Sequence, residues 1–206
     1  MRDEKIGDFL TRLADRIPAP GGGASAALHA AQSAALLGMV ARYSNGEKYE
    51  QHSDVINEVR IDTDELREVA LQLAENDALA FTAVSDAYKL SKSTDEEKAV
   101  RSAAIAQALV GAAKPPAQVI EIAENLVSLA EKLLPVGNKN VITDIAAAAD
   151  AARAAATTGR VNVEINMGGI KDAGARDELS ALVKKVDEIA QRADEVTATV
   201  RQEIAK

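Results

Sequence analysis

The sequence predicts an all-α protein: a single-domain antiparallel helical bundle over residues 1–206, with one short extended segment near residues 161–167. Three observations carry that reading. Hydrophobic residues make up 47% of the chain but aromatics only 2%, so the core has to be built from Ala, Leu, Ile and Val, which suit closely packed helices. Apolar positions recur at three- and four-residue steps along most of the chain. Proline, glycine and capping residues interrupt those runs at helix-length intervals.

Ile6, Phe9, Leu10, Leu13 and Ile17 place an amphipathic helix at 3–17, stopped by Pro18. The linker Pro18-Ala19-Pro20-Gly21-Gly22-Gly23 then leads to an Ala/Ser-rich helix at 24–43. Two prolines fix φ there, and three glycines leave bare backbone that a ligand or a neighbouring helix can approach. The first amides of the following helix lack intrahelical partners, so an anion can sit by Gly21, Gly22, Gly23 and Ser25. A tight interhelical turn is the alternative, and without a closing Lys-Ser/Thr pair the segment is not a P-loop. Small residues on nearly every side make 24–43 the central helix.

A long helix follows from about Ser53 to Leu90, apolar at Val55, Ile56, Val59, Leu66, Val69, Leu73, Leu79 and Val84. Thr94-Asp95-Glu96-Glu97 is a capping-box pattern that starts the next helix. That helix runs to about Ala113, where Lys114-Pro115-Pro116 interrupts, and a further one spans 116–134. After the turn 135–140, Thr143-Asp144 caps a helix at 145–158 that Gly159 ends. Residues Val161 to Met167 alternate at period two and read as the extended segment. A polar helix at 173–205 closes the chain.

Composition excludes several function classes. A net charge of −8, no Trp, three Tyr and two Phe argue against nucleic acid. Without cysteine there is no disulfide, thiolate metal site or thiol nucleophile. His29 and His52 are not spaced with carboxylates as metal ligands, so no metal is assigned. The charged start Met1-Arg2-Asp3-Glu4-Lys5 lacks a signal-peptide core and no apolar run reads as membrane-spanning, so a cytoplasmic protein without a membrane partner is expected.

Asp77 is the most pointed candidate for chemistry. It lies in Ala74-Glu75-Asn76-Asp77-Ala78-Leu79-Ala80, a small-residue seam in which a carboxylate needs solvent or a partner. Asp144 has helix capping as its default role, and Asn138, Asn140, Asn162 and Asn166 lie where turns favour Asn. Lys48, Lys89, Lys92, Lys114 and Lys139 stand near predicted helix ends.

Together these segments resemble the cyclodeaminase/cyclohydrolase family, comprising the C-terminal domain of formiminotransferase-cyclodeaminase and the free-standing methenyltetrahydrofolate cyclohydrolases. The matching pieces, in order, are Pro18 to Gly23; Met39-Val40-Ala41 with Lys48-Tyr49; Asp77 with Ala80-Phe81; and Lys92. Gly137-Asn138, Thr143-Asp144, and Asn162 with Ile165 and Asn166 complete the set. Two positions depart from the family pattern: Ala24 separates the glycines from Ser25, and Leu90-Ser91-Lys92 replaces Leu-Pro-Lys.

The resemblance implies an all-helical domain, usually a homodimer, with a tetrahydrofolate derivative as substrate and no permanently bound cofactor. It makes Asp77 the catalytic carboxylate and Asp144 its assistant. Asn138 and Asn166 would hold the pterin or the developing hydroxyl, Ser25 would supply a hydroxyl contact, and the glycine amides with Lys92 would meet the folate's carboxylate tail. The reaction it suggests is hydrolysis of 5,10-methenyltetrahydrofolate to 10-formyltetrahydrofolate. Formiminotetrahydrofolate cyclodeamination is one alternative, and a non-catalytic folate-binding or assembly protein is another.

Overall fold

A computed structural model describes residues 1–206. Each long helix folds back on the one before it: α1 (Ile6–Ala14), α2 (Gly22–Tyr43), α3 (Ser53–Lys89), α4 (Asp95–Leu133), α5 (Ile142–Met167) and α6 (Ala173–Ile204). Short 3-10 turns at Glu47–His52 and Lys139–Val141 precede α3 and α5. The all-α expectation holds.

Alanine explains why α2 is central. Ala24, Ala27, Ala31 and Ala34 are nearly or fully buried at three- and four-residue spacing, and their small side chains let α3, α4 and α5 close around the helix. Leu126, Leu133, Ile145 and Ile189 fill the wider gaps, each burial stabilising by about 1.5–3 kcal/mol. Contrary to the sequence reading, α2 is long and apolar enough to cross a membrane by length and composition. Its apolar window is 61% buried inside the fold, so that apolarity is accounted for by the core. The first helix is shorter than the predicted 3–17, and only Phe9 of it is buried.

Two predicted breaks are absent. Pro115 and Pro116 lie inside the continuous helix α4. Proline lacks the N–H that an i−4 carbonyl needs, so Gly111 and Ala112 lose their helical donors. Gly111 is exposed to water, and the Ala112 carbonyl accepts instead from Asn166 Nδ2 at 3.3 Å. Gly159 does not terminate α5 but sits where α5 crosses α4. A Cβ there would stand 3.0 Å from Ile120 Cγ1 and 3.1 Å from the Pro116 carbonyl oxygen.

The extended segment expected at 161–167 is therefore helical, the last two turns of α5. Its period-two alternation misleads because Val161 and Ile165 are exposed while Val163 is fully buried. Tertiary packing against α4 decides the conformation. Nor does Thr143-Asp144 cap this helix: α5 begins at Ile142, and Asp144 lies within its first turn. The capping box at Thr94 does form, with Thr94 Oγ1 accepting from the Glu97 amide at 3.2 Å and Glu97 Oε2 accepting from the Thr94 amide at 3.1 Å.

Candidate active site at the start of the central helix

The N-terminus of α2 is filled from inside the protein. Asp77, on α3, brings its carboxylate to Gly23, where an added Cβ would fall on the carboxyl group. Glycine is required there because no side chain fits between carboxylate and backbone. Burial pushes the Asp77 carboxyl above the usual carboxylate range, and a hydrogen bond from the Ala24 amide pulls it partway back. One of the α2 amides, which the sequence offers to a ligand's anion, is thus already served by Asp77.

Around this carboxylate is a cavity of about 390 Å³ whose wall holds no Lys or Arg. Gly21, Gly22 and Gly23 form one side. About three turns of α3 run on past Asp77 and supply Phe81, Val84 and Tyr88, while α4 supplies Leu109 and Ala112. Tyr88 is steadied by Arg101, whose guanidinium lies 5.4 Å from the ring centroid and donates to the Tyr88 carbonyl at 3.1 and 3.3 Å. Phe81 and Ile165 are exposed at the mouth, giving apolar walls suited to a flat ring.

Asn162 and Asn166 complete the lining from α5. Their four-residue spacing puts both on one helix face. Sequence reasoning does not place Asn162, Phe81 or Tyr88 among the site residues. For Asn162 the signal was the i,i+4 pair, hidden beneath the period-two alternation of the same segment.

The other predicted residues are placed differently. Gly21, Gly22, Gly23, Asp77 and Asn166 come together. Ser25 lies half-buried one turn into α2, and Lys92 is exposed on the loop after α3; neither lines the cavity. Asn138 and Asp144 lie at the opposite end of the bundle. Asp144 and Asn162 share α5, and eighteen residues of helix separate them by roughly 27 Å. Within one chain, then, Asp144 is not a neighbour of Asp77. Asn138 is occupied in fastening α2: its Nδ2 donates to the Tyr43 carbonyl and its backbone amide to Ser44 Oγ, both at 2.8 Å.

Known proteins share this architecture. The sequence pattern described as formiminotransferase-cyclodeaminase matches residues 5–185. A methenyltetrahydrofolate cyclohydrolase of Methylorubrum extorquens is 35% identical over 204 residues, 98% of each chain. The formimidoyltransferase-cyclodeaminase of Gallus gallus is 31% identical over 188 residues, covering 91% of this chain and 35% of that protein. A solved structure of formiminotetrahydrofolate cyclodeaminase from Thermotoga maritima superposes with a TM-score of 0.83 at 30% identity, covering 97% of this chain and 98% of that one. This chain therefore belongs to the formiminotransferase-cyclodeaminase family.

Proposed function

We propose that this protein hydrolyses 5,10-methenyltetrahydrofolate to 10-formyltetrahydrofolate, with Asp77 as the general base. The carrying observation is Asp77 itself: a carboxylate partly desolvated in a cavity without any cationic side chain. Such a site favours a cationic ligand, because a positive charge beside Asp77 offsets the desolvation of its ionised form. The methenyl bridge is a cationic amidinium. The full-length similarity to a cyclohydrolase supports the same reading.

In this mechanism Asp77 accepts a proton from water as the water oxygen bonds to the amidinium carbon, whose positive charge the addition neutralises. The carbon–N5 bond then breaks as its electrons return to N5, which takes the proton held by Asp77. The adduct's hydroxyl gives its own proton to solvent, and the carbon becomes the formyl group on N10. The balance is substrate cation plus water giving neutral formyl product plus a proton. General-base assistance of this type contributes about 10²- to 10⁴-fold, and Asp77 is positioned for it without help from Asp144.

Cyclodeamination is the second reading, favoured by the named activity of the Thermotoga maritima structure. The two activities are read separately: loss of methenyltetrahydrofolate absorbance reports hydrolysis, and ammonia release from 5-formiminotetrahydrofolate reports deamination. Hydrolysis without ammonia release is expected. Turnover of neither substrate by folded protein defeats both readings and leaves a folate-binding or assembly role.

The reading includes a homodimer. From Gly22 through Ala41, α2 carries no acidic or basic residue except His29, yet Gln32 and Ala35 on its outer side are exposed and Leu28, Leu36 and Met39 are only partly covered. A second copy is the occupant this family reading supplies. A solution mass of two chains is the expected result, and a monomer that turns over would remove the dimer from the proposal.

A further inference from the structure

Asn162 and Asn166 have their amide groups locked in one orientation. Asn166 Nδ2 donates to the Asn162 carbonyl at 2.8 Å and to the Ala112 carbonyl at 3.3 Å, which commits both of its hydrogens. Asn162 Nδ2 donates to the Thr158 carbonyl at 2.8 Å. The Ala112 carbonyl is free for this bond because Pro116, four residues on, has no N–H to give it. Neither Oδ1 accepts a hydrogen bond from the protein, although both residues line the cavity with Asp77.

Of the four polar side chains on the wall, Asp77 and Asn166 are consequently left as acceptors, Asn162 presents a free Oδ1 beside one uncommitted Nδ2 hydrogen, and Tyr88 is the fourth. An ionised carboxylate has only lone pairs to offer, and an Asn whose nitrogen is committed offers its carbonyl oxygen. A ligand that buries itself here without N–H donors leaves those oxygens unpaired, a loss of about 1–3 kcal/mol per group.

We propose that Asn162 and Asn166 determine ligand specificity by accepting from the aminopyrimidine edge of the pterin, its 2-amino group and the adjacent ring N–H, while Asp77 faces the reacting carbon. This rests on the folate reading above. Four-residue helical spacing holds the two Cβ atoms about 5–6 Å apart, close enough for both amide oxygens to converge on neighbouring donors. The two residues are selectors and positioners, with the proton transfer left to Asp77.

The test is calorimetric binding of tetrahydrofolate and of its 2-desamino-2-methyl analogue to the intact protein, for wild type, Asn162→Leu and Asn166→Leu. Wild type is expected to prefer tetrahydrofolate by about 10- to 100-fold. Each variant should lose most of that preference, and should raise KM for methenyltetrahydrofolate far more than it lowers kcat. Equal binding of both ligands by wild type overturns the proposal without any variant, so a poorly folded Asn166→Leu cannot shield it. Variants that weaken both ligands by the same factor overturn it too. If wild type binds no tetrahydrofolate and turns over no folate, the functional reading falls first; if turnover is normal but the preference is absent, only the selector role falls.

Discussion

At its N-terminal end α2 gives up side chains and receives a carboxylate; at its C-terminal end it is tied down by polar groups that satisfy one another. Near Gly23 the Ala24 amide meets Asp77, whose desolvation has no cationic side chain to offset it. Near Tyr43, Ser44 Oγ donates to the Val40 carbonyl at 2.7 Å and accepts from the Asn138 amide, while Asn138 Oδ1 accepts from the Asn140 amide at 3.0 Å. Lys139 Nζ reaches the Leu134 carbonyl at 3.0 Å and Glu203 at 2.9 Å. A cavity of about 450 Å³ also lies at this second end, but its Arg42 is already engaged by Asp64 at 2.5 Å. The contrast separates reactivity from fastening: the partly desolvated carboxylate is left to be completed by a substrate, whereas the satisfied network holds the chain.

Asp77→Asn breaks this comparison most sharply. It keeps the shape and removes the base, so kcat for methenyltetrahydrofolate should fall about 10²- to 10⁴-fold while Asp144→Asn leaves kcat within about threefold. An Asp144→Asn loss as large as that of Asp77→Asn would require the two ends to meet across two subunits. Stability should move the other way. Asp77 holds its proton more tightly in the folded than in the unfolded protein, so the folded state binds more protons between the ordinary carboxylate range and its raised value. Stability therefore declines as pH rises through that window, and Asp77→Asn should abolish this part of the decline in denaturant titrations at several pH values.

Gly23→Ala attacks the same end through the backbone. Its methyl group would occupy the place of the Asp77 carboxyl, so the carboxylate must swing away or α2 must retreat. A misplacement of this size corresponds to about a hundredfold loss in kcat/KM, together with about 1–3 kcal/mol from overpacking. Near wild-type activity in this variant would show that Asp77 does not need its seat over the α2 amides.

The fastening end predicts the opposite signature. Asn138→Ala loses the bonds to the Tyr43 carbonyl and from the Asn140 amide, which should lower stability by about 2 kcal/mol. For a chain of this length that corresponds to a Tm lower by roughly 4–8 °C. At 20 °C its kcat/KM should stay within about threefold of wild type. A large activity loss with unchanged Tm would return Asn138 to the substrate.

How far the sequence reached follows the same division. Amphipathic spacing, the Thr94 box and the alanine seam of α2 were legible because each is a local pattern with a local cause. Asp77 was legible for a related reason: a lone acid among alanines on a helix is conspicuous wherever that helix packs. The continuity of α4 and α5 was hidden, since Pro115, Pro116 and Gly159 are local breakers whose effect is reversed by contacts between those two helices. The pairing of Asn162 with Asn166 on one face stayed hidden with them, because it depends on that stretch being helical. The distance of Asp144 from Asp77 within one chain was hidden for the converse reason, since the order of residues along the sequence does not say which end of an up-and-down bundle a turn occupies.

Thr94→Ala gives the smallest effect and separates local order from the cavity at the active end. Glu97 Oε2 accepts from the Ser91 hydroxyl and the amides of Ser93 and Thr94, bonds that hold its carboxyl below the usual range, the Ser91 contact foremost. Thr94 supplies the reciprocal acceptor for the Glu97 amide, and its loss should cost about 1 kcal/mol, a drop in Tm of roughly 2–4 °C. The cap opens α4, two helical turns before Arg101, the residue that steadies Tyr88. Fraying confined to the first turn leaves that contact and kcat/KM intact. Fraying that propagates to Arg101 releases the Tyr88 wall, and KM then rises while kcat holds, an outcome that would tie substrate binding to the order of the α3–α4 turn.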